Sequence, residues 1–208
     1  MIVDFVRGIA PTRPAPLIVA IDGPSGAGKS SLAPLVAARL SASVIPLDDF
    51  FSGEIPGARW DTWSPAERAT HVVDWQRVRS EVLVPLIAGR RARWHPFDFS
   101  AGPRPDGSYT TAREWRECDA TPVVLLEGAY SGRPELSDVV DLAILVDAPL
   151  AVRHVRLRGR ESVEFLHDWH ARWDAVEAHY FANVSPPSRF DLVVSTTPSA
   201  ASSQRSAG

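Results

Sequence analysis

Residues 17–30, LIVAIDGPSGAGKS, decide the fold. Leu17 to Ile21 is a continuous apolar, β-rich run bounded by Pro16 and Gly23, which is how a strand covered on both faces reads. It runs directly into Gly23, Pro24, Ser25, Gly26, Ala27, Gly28, Lys29 and Ser30, which fit G-x-x-x-x-G-K-[ST] between a strand and a helix, the context this motif demands. Its glycines let backbone N–H groups turn inward around an anion, and the helix that follows adds the positive end of its dipole. In such a loop Lys29 reaches the β- and γ-phosphates, Ser30 supplies a hydroxyl ligand to Mg²⁺, and Ser31 stands beside it in the first helical turn. The cofactors implied are ATP and Mg²⁺.

Composition supports a special place for Lys29. Of the 22 basic residues, 21 are arginine and this one is lysine. A chain that uses Arg almost everywhere keeps Lys where a compact ammonium on a flexible stem is needed.

Working outward, helix and strand patterns alternate. Ser30 to Leu40 reads as a helix with Leu32, Leu35, Val36 and Leu40 on one face, interrupted by Pro34. Val44 to Leu47 is a short strand ending at Asp48 and Asp49. Ser64 to Ala88 is helical, and 94–115 is irregular with room for a small hairpin. Val123 to Leu126, Leu142 to Val146 and Leu192 to Val194 are further strands, with helices over Pro149 to Arg158 and Glu164 to Phe181. This order predicts an α/β fold: a P-loop NTPase of three layers, α/β/α, with a mostly parallel central sheet and a short arginine-bearing lid. Residues 1–15 are expected to form an N-terminal arm, 16–197 the P-loop kinase domain, and 198–208 a disordered tail.

In such a sheet the crevice lies at the carboxyl ends of the strands, so Asp48, Glu127 and Asp147 face one mouth. Asp48, read as ending the strand next to the phosphate loop, is placed to accept the proton of an attacking hydroxyl, with Asp49 its competitor. Glu127, ending its own strand beside the loop, is a candidate partner of Ser30 at Mg²⁺. Arg153, Arg156 and Arg160 recur at helical spacing and share a face able to neutralise a transferring phosphoryl group. Trp60, Trp63, Trp94 and Trp115 fall in irregular segments, where they wall an acceptor pocket or pack long loops. Trp169, Trp173, Val176 and Phe181 read as core. The six histidines show no ligand spacing; His167 and His170 read as surface residues, and no zinc site is expected.

The segment Val44 to Phe51, VIPLDDFF, resembles the strand and Asp-x-Phe-Tyr motif of the uridine kinase family, with Asp48 at the position of the catalytic base and Phe51 where Tyr is usual. Pro96 to Phe99 is similar to that family's Pro-x-Tyr-Asp-Phe segment, with Phe97 again in place of Tyr. Val123 to Gly128 resembles its V-V-L-x-E-G strand, and Asp147 followed by Arg153, Arg156, Arg158 and Arg160 its lid. The likeness spans residues 17–195 and is nearest to the uridine-kinase-like proteins of high-GC bacteria. It implies transfer of the γ-phosphate of ATP to a hydroxyl of a small molecule, a nucleoside such as uridine or cytidine. It further implies Arg158 at the nucleotide and Phe51, Phe97, Asp98 and either Asp61 or Asp74 at the acceptor. Residues 21–29 also resemble the start of bacterial cytidylate kinases, whose acceptor is a phosphate. A regulatory ATP-binding protein without an acceptor is the third reading.

Several classes are disfavoured. A net charge of −3 gives no basic field for nucleic acid. A single cysteine, Cys118, offers no disulfide framework. No apolar run approaches a membrane span, and Asp4 and Arg7 sit where a signal peptide needs apolar residues. A cytoplasmic location is expected, with homo-oligomerisation left open.

Overall fold

The structure, a computed structural model, describes residues 1–13, 16–159 and 170–197. The expected tail, Arg160, His167, Trp169 and the first part of the helix expected over 164–181 lie outside the described residues. At the centre is β1 (Leu17–Asp22), buried along its whole length. It pairs in parallel with β5 (Val123–Glu127) on one side and β6 (Leu142–Asp147) on the other. β2 (Ser43–Pro46) lies outside β5 and β7 (Leu192–Ser195) outside β6, giving five parallel strands in the order β2-β5-β1-β6-β7.

That order corrects one expectation: the strand leading to Asp48 is not the neighbour of β1. β5 is inserted between them. Its apolar run suits a position buried on both faces, whereas β2 carries Ser43 and Pro46, and a proline without an N–H belongs on an edge strand. Glu127 does stand beside β1, in register with Ile21.

The period-two alternation of strand side chains splits the core into two layers. Leu17, Val19, Ile21, Val123, Leu125, Ile144 and Val146 face α1 (Ile2–Ile9) and α2 (Lys29–Leu40). Ile18, Ile45, Val124 and Leu126 face the opposite helical layer. That layer holds α3 (Gly57–Thr62), α4 (Pro65–His71), the run α5 (Trp75–Arg77), a π-helical turn (Val78–Leu83) and α6 (Val84–Ile87), and the helical stretch around α8 (Ala175–His179). α7 (Leu150–Arg158) follows β6, and Gly159 ends it.

Local details differ from the sequence reading for identifiable reasons. The N-terminal arm is a helix, because Ile2 and Val6, four residues apart, bury themselves against the α2 layer. In α2 the buried strip is Ala33, Val36 and Ala37, and Leu35 is 67% exposed. At 100° per residue Leu35 falls off the strip, toward the mouth of the sheet. The single helix expected over 64–88 is broken at 72–74: Ser64 and Glu67 cap α4 reciprocally, and the Asp74 carboxylate accepts from the Arg77 N–H at 3.1 Å to start α5. The hairpin is the antiparallel pair β3 (Ala92–Trp94) and β4 (Arg116–Cys118).

Gly23, at the exit of β1, adopts φ +148°, and a Cβ there would stand 2.0 Å from the Val146 carbonyl oxygen. Gly23→Ala should therefore cost at least ~3 kcal/mol in a denaturant melt. Gly8→Ala is the control: nothing lies within 4 Å of its Cβ position, and alanine favours a helix by up to ~1 kcal/mol over glycine.

Candidate active site

At the carboxyl ends of the strands lies an open cleft of about 600 Å³, lined by Ser25, Gly26 and Gly28 to Ser31 of the phosphate loop, by Leu32 and Leu35, and across from them by Asp48, Glu127, Gly128, Ala129, Arg156 and Thr196. A smaller hollow of about 140 Å³ between Arg133, Asp141, Arg189 and Asp191 shares no residue with it.

The loop is held from beneath by Asp22, a residue the sequence reading passed over. Its fully buried carboxylate accepts from the N–H groups of Gly23 (2.7 Å), Tyr130 (2.8 Å) and Gly132 (2.8 Å) and from the Tyr180 hydroxyl (2.8 Å). Burial pushes this carboxyl up, opposed by those donors and by the Lys29 charge. Burial and the Asp22 carboxylate likewise push the Tyr180 phenol well above its ordinary range, so it stays a donor. The signal for Asp22 was a carboxylate closing an otherwise apolar strand. Lys29, also buried, donates to the carbonyls of Gly23 at 2.7 Å and Pro24 at 3.1 Å while bordering the cleft.

Gly28 takes φ +102° at the N-terminus of α2, a left-handed conformation that glycine adopts without strain, and the helix start adds the positive end of its dipole there. Ser30 Oγ donates to Glu127 at 3.1 Å. A hydroxyl beside a carboxylate, both bordering the cleft, is a hard-oxygen set that suits Mg²⁺.

The arginines of α7 reach the loop by its outer side. Arg153 donates to the Ser25 carbonyl at 3.1 Å and to Glu177 at 3.2 Å; Glu177 in turn accepts from the Ser25 N–H at 2.9 Å. Arg156 donates to the carbonyls of Gly26 and Ala27, both at 3.1 Å, and to Thr196, itself bonded to Ala27. Arg156 also borders the cleft, whereas Arg158 is exposed and does not line it. Glu177 and Thr196 were invisible in sequence because they meet the loop 152 and 169 residues away along the chain. Asp147 turns back to accept from the Ala148 N–H and does not line the cleft.

The two adjacent aspartates are separated by a 3₁₀ turn over Leu47–Phe50. Asp48 is exposed in the cleft. Asp49 points inward, accepting from Trp94 Nε1 at 2.8 Å and from Arg116 at 2.7 Å, and burial pushes its carboxyl up against those two partners. Past the turn, Phe51 packs edge-on against Phe97 (centroids 5.4 Å) and Trp173 (5.3 Å), and near Trp60 (6.1 Å). Trp60 and Trp94 are core; Trp63 stacks on His71, and Trp115 lies by His95 and Arg93. Asp61 is paired with Arg172 at 2.7 Å, Asp74 caps α5, and Asp98 accepts from Ser100 and Ala101, so none of the three lines the cleft.

No family model matches this chain, and no curated protein sequence matches it. Solved structures do resemble it. A possible uridine kinase from Bacillus stearothermophilus superposes with a TM-score of 0.67 at 19% identity, over 92% of this chain and 96% of that one. A protein provisionally named a fructose transport system kinase, from a Silicibacter species, gives 0.66 at 20% identity, over 93% and 98%. A D-glycerate 3-kinase from Cryptococcus neoformans gives 0.50 at 15%, over 86% and 84%. The fold is thus the α/β fold of P-loop kinases, with its mostly parallel sheet.

Asp49→Ala strands the buried Trp94 Nε1, while the exposed Arg116 returns to water, and should cost ~1–3 kcal/mol, whereas Asp48→Asn should stay within ~1 kcal/mol of the parent in the same denaturant melt. The raised Asp49 carboxyl also has a pH signature. Above the ordinary value of 3.8 the folded chain keeps a proton that the unfolded chain has released. Its contribution is therefore full below that value and is lost as pH rises through the folded one; Asp49→Asn should remove this fall from the stability profile.

Proposed function

We propose that this chain transfers the γ-phosphoryl group of ATP to a hydroxyl of a small molecule. The observation carrying the reading is the placement of Asp48. Of two adjacent carboxylates, one is committed to Trp94 and Arg116, and the other borders the same cleft as Lys29, Ser30 and Glu127. A carboxylate facing a phosphate loop serves an acceptor that must lose a proton as it attacks.

The loop N–H groups and Lys29 hold the phosphates, and Arg156 at the rim adds positive charge where the phosphoryl group moves. Ser30 and Glu127 would hold Mg²⁺, which when bound neutralises charge between the β- and γ-phosphates. Asp48 orients the acceptor hydroxyl and takes its proton, while Arg153 keeps the Ser25 end of the loop in place. The acceptor class we assign is a nucleoside of the uridine or cytidine kind. It rests on the resemblance around Asp48 and Pro96 to Phe99; the aromatic group there is packed inward, with Phe97 and Trp173 buried against Phe51 and none of the three lining the cleft. The three structural relatives are all named as kinases, of uridine, of a fructose system and of glycerate.

A monophosphate-kinase reading needs arginines at the acceptor phosphate. Arg59 lies over Trp63, Arg68 donates to the carbonyls of Trp60 and Arg172, and Arg93 pairs with Glu117. None of them lines the cleft, and Asp48 would repel a dianion there.

Screening nucleosides, sugars and small alcohols for acceptor-dependent ADP release, with the product confirmed by mass, tests the assignment. Release that requires a nucleoside is expected; release indifferent to every acceptor would count against a small-molecule kinase. Lys29→Ala should weaken ATP binding. Asp48→Asn should bind ATP normally and lose transfer by about 10²- to 10⁴-fold; unchanged transfer would remove Asp48 as the base.

A further inference from the structure

On the far side of α7 from the cleft rim, three groups that the phosphoryl-transfer reading does not use converge. His154, next to Arg153 on α7, brings Nε2 to 3.3 Å from Asp174. His170 brings Nδ1 to 3.1 Å from the same carboxylate. The two imidazole rings are 4.2 Å apart, and the donor atoms of all three residues lie within 4.8 Å of one another.

Three features distinguish this from an ordinary ion pair. His154 Nε2 is shielded from solvent and within reach of the Asp174 oxygen, yet makes no aligned hydrogen bond to it. Around a tetrahedral ion with bonds of 2.0–2.1 Å, neighbouring donors stand about 3.3 Å apart, close to the two imidazole–carboxylate separations of 3.3 and 3.1 Å. Lastly, all three side chains are half-buried, which leaves an ion a way in.

We propose that His154, His170 and Asp174 form a binding site for a divalent transition metal of the Zn²⁺ type, separate from the Mg²⁺ set at Ser30 and Glu127. Two imidazoles and one carboxylate suit zinc and disfavour magnesium, which takes oxygen ligands. Three protein ligands leave a fourth position for water or another donor. The site ties α7 to the helical stretch of residues 170–184 beside the Arg153–Glu177 pair that grips Ser25, so the ion would fasten the outer support of the phosphate loop. The pattern was unreadable in sequence, because His154 and His170 sit on different helices.

The test is Zn²⁺ titration of the full chain by calorimetry in excess Mg²⁺, with Co²⁺ absorption as a report of four-coordinate geometry. One ion per chain is expected, with a rise in thermal midpoint, and affinity should fall more than about 100-fold in His154→Gln, His170→Gln and Asp174→Asn, beyond the 10- to 100-fold that outer-shell partners cost. Circular dichroism confirms that each variant is folded. Lys29→Ala should bind Zn²⁺ as the parent does. Absence of stoichiometric binding, octahedral Co²⁺ spectra, or equal binding in folded variants overturns the proposal.

Discussion

One buried carboxylate organises the cleft. Asp22 has no contact with solvent and takes four donors from the start of the phosphate loop, the turn after β5 and the Tyr180 helix. A charge in that position is costly unless each of its lone pairs is occupied. The three segments are therefore held to one another by the same requirement, and Gly23 cannot turn into the loop without Tyr130, Gly132 and Tyr180 also being in place. Lys29 completes the arrangement from within, its ammonium resting on two loop carbonyls.

Around that anchor the positively charged side chains divide their work by shape. Arg153 and Arg156 use planar guanidinium groups to collect several carbonyl oxygens along the outer edge of the loop, a task that suits a rigid fork of donors. Lysine, with a slender stem and a point charge, occupies the crowded interior. The unusual composition of the chain thus maps onto two physically different tasks around one loop.

How far the sequence reveals this depends on distance along the chain. The loop, its flanking strand and helix, and the strand-terminal Glu127 were legible because each is a local pattern of a few residues. The position of β2 was not, since nothing in Val44 to Leu47 says that β5 will enter between it and β1. That Asp49 is buried while Asp48 borders the cleft was not legible, because it depends on residues 94 and 116 returning to Asp49. Asp61 and Asp74, equal rivals in sequence, are separated by their partners: Asp74 takes the local Arg77 N–H, whereas Asp61 meets Arg172, 111 residues away. Glu177 carried no signal, being an ordinary helical glutamate until the fold brings it to Ser25.

The small residues of α2 have a consequence beyond packing. Ala33, Val36 and Ala37 let the helix lie close on the sheet, and the same helix carries Lys29 and Ser30 at its first turn. The depth of a few methyl groups thereby sets how far the ammonium and hydroxyl project into the cleft. Side chains that do not border the cleft thus take part in shaping it. Enlarging one of them would act like lengthening a lever, moving the business end of the loop without altering a single residue in it.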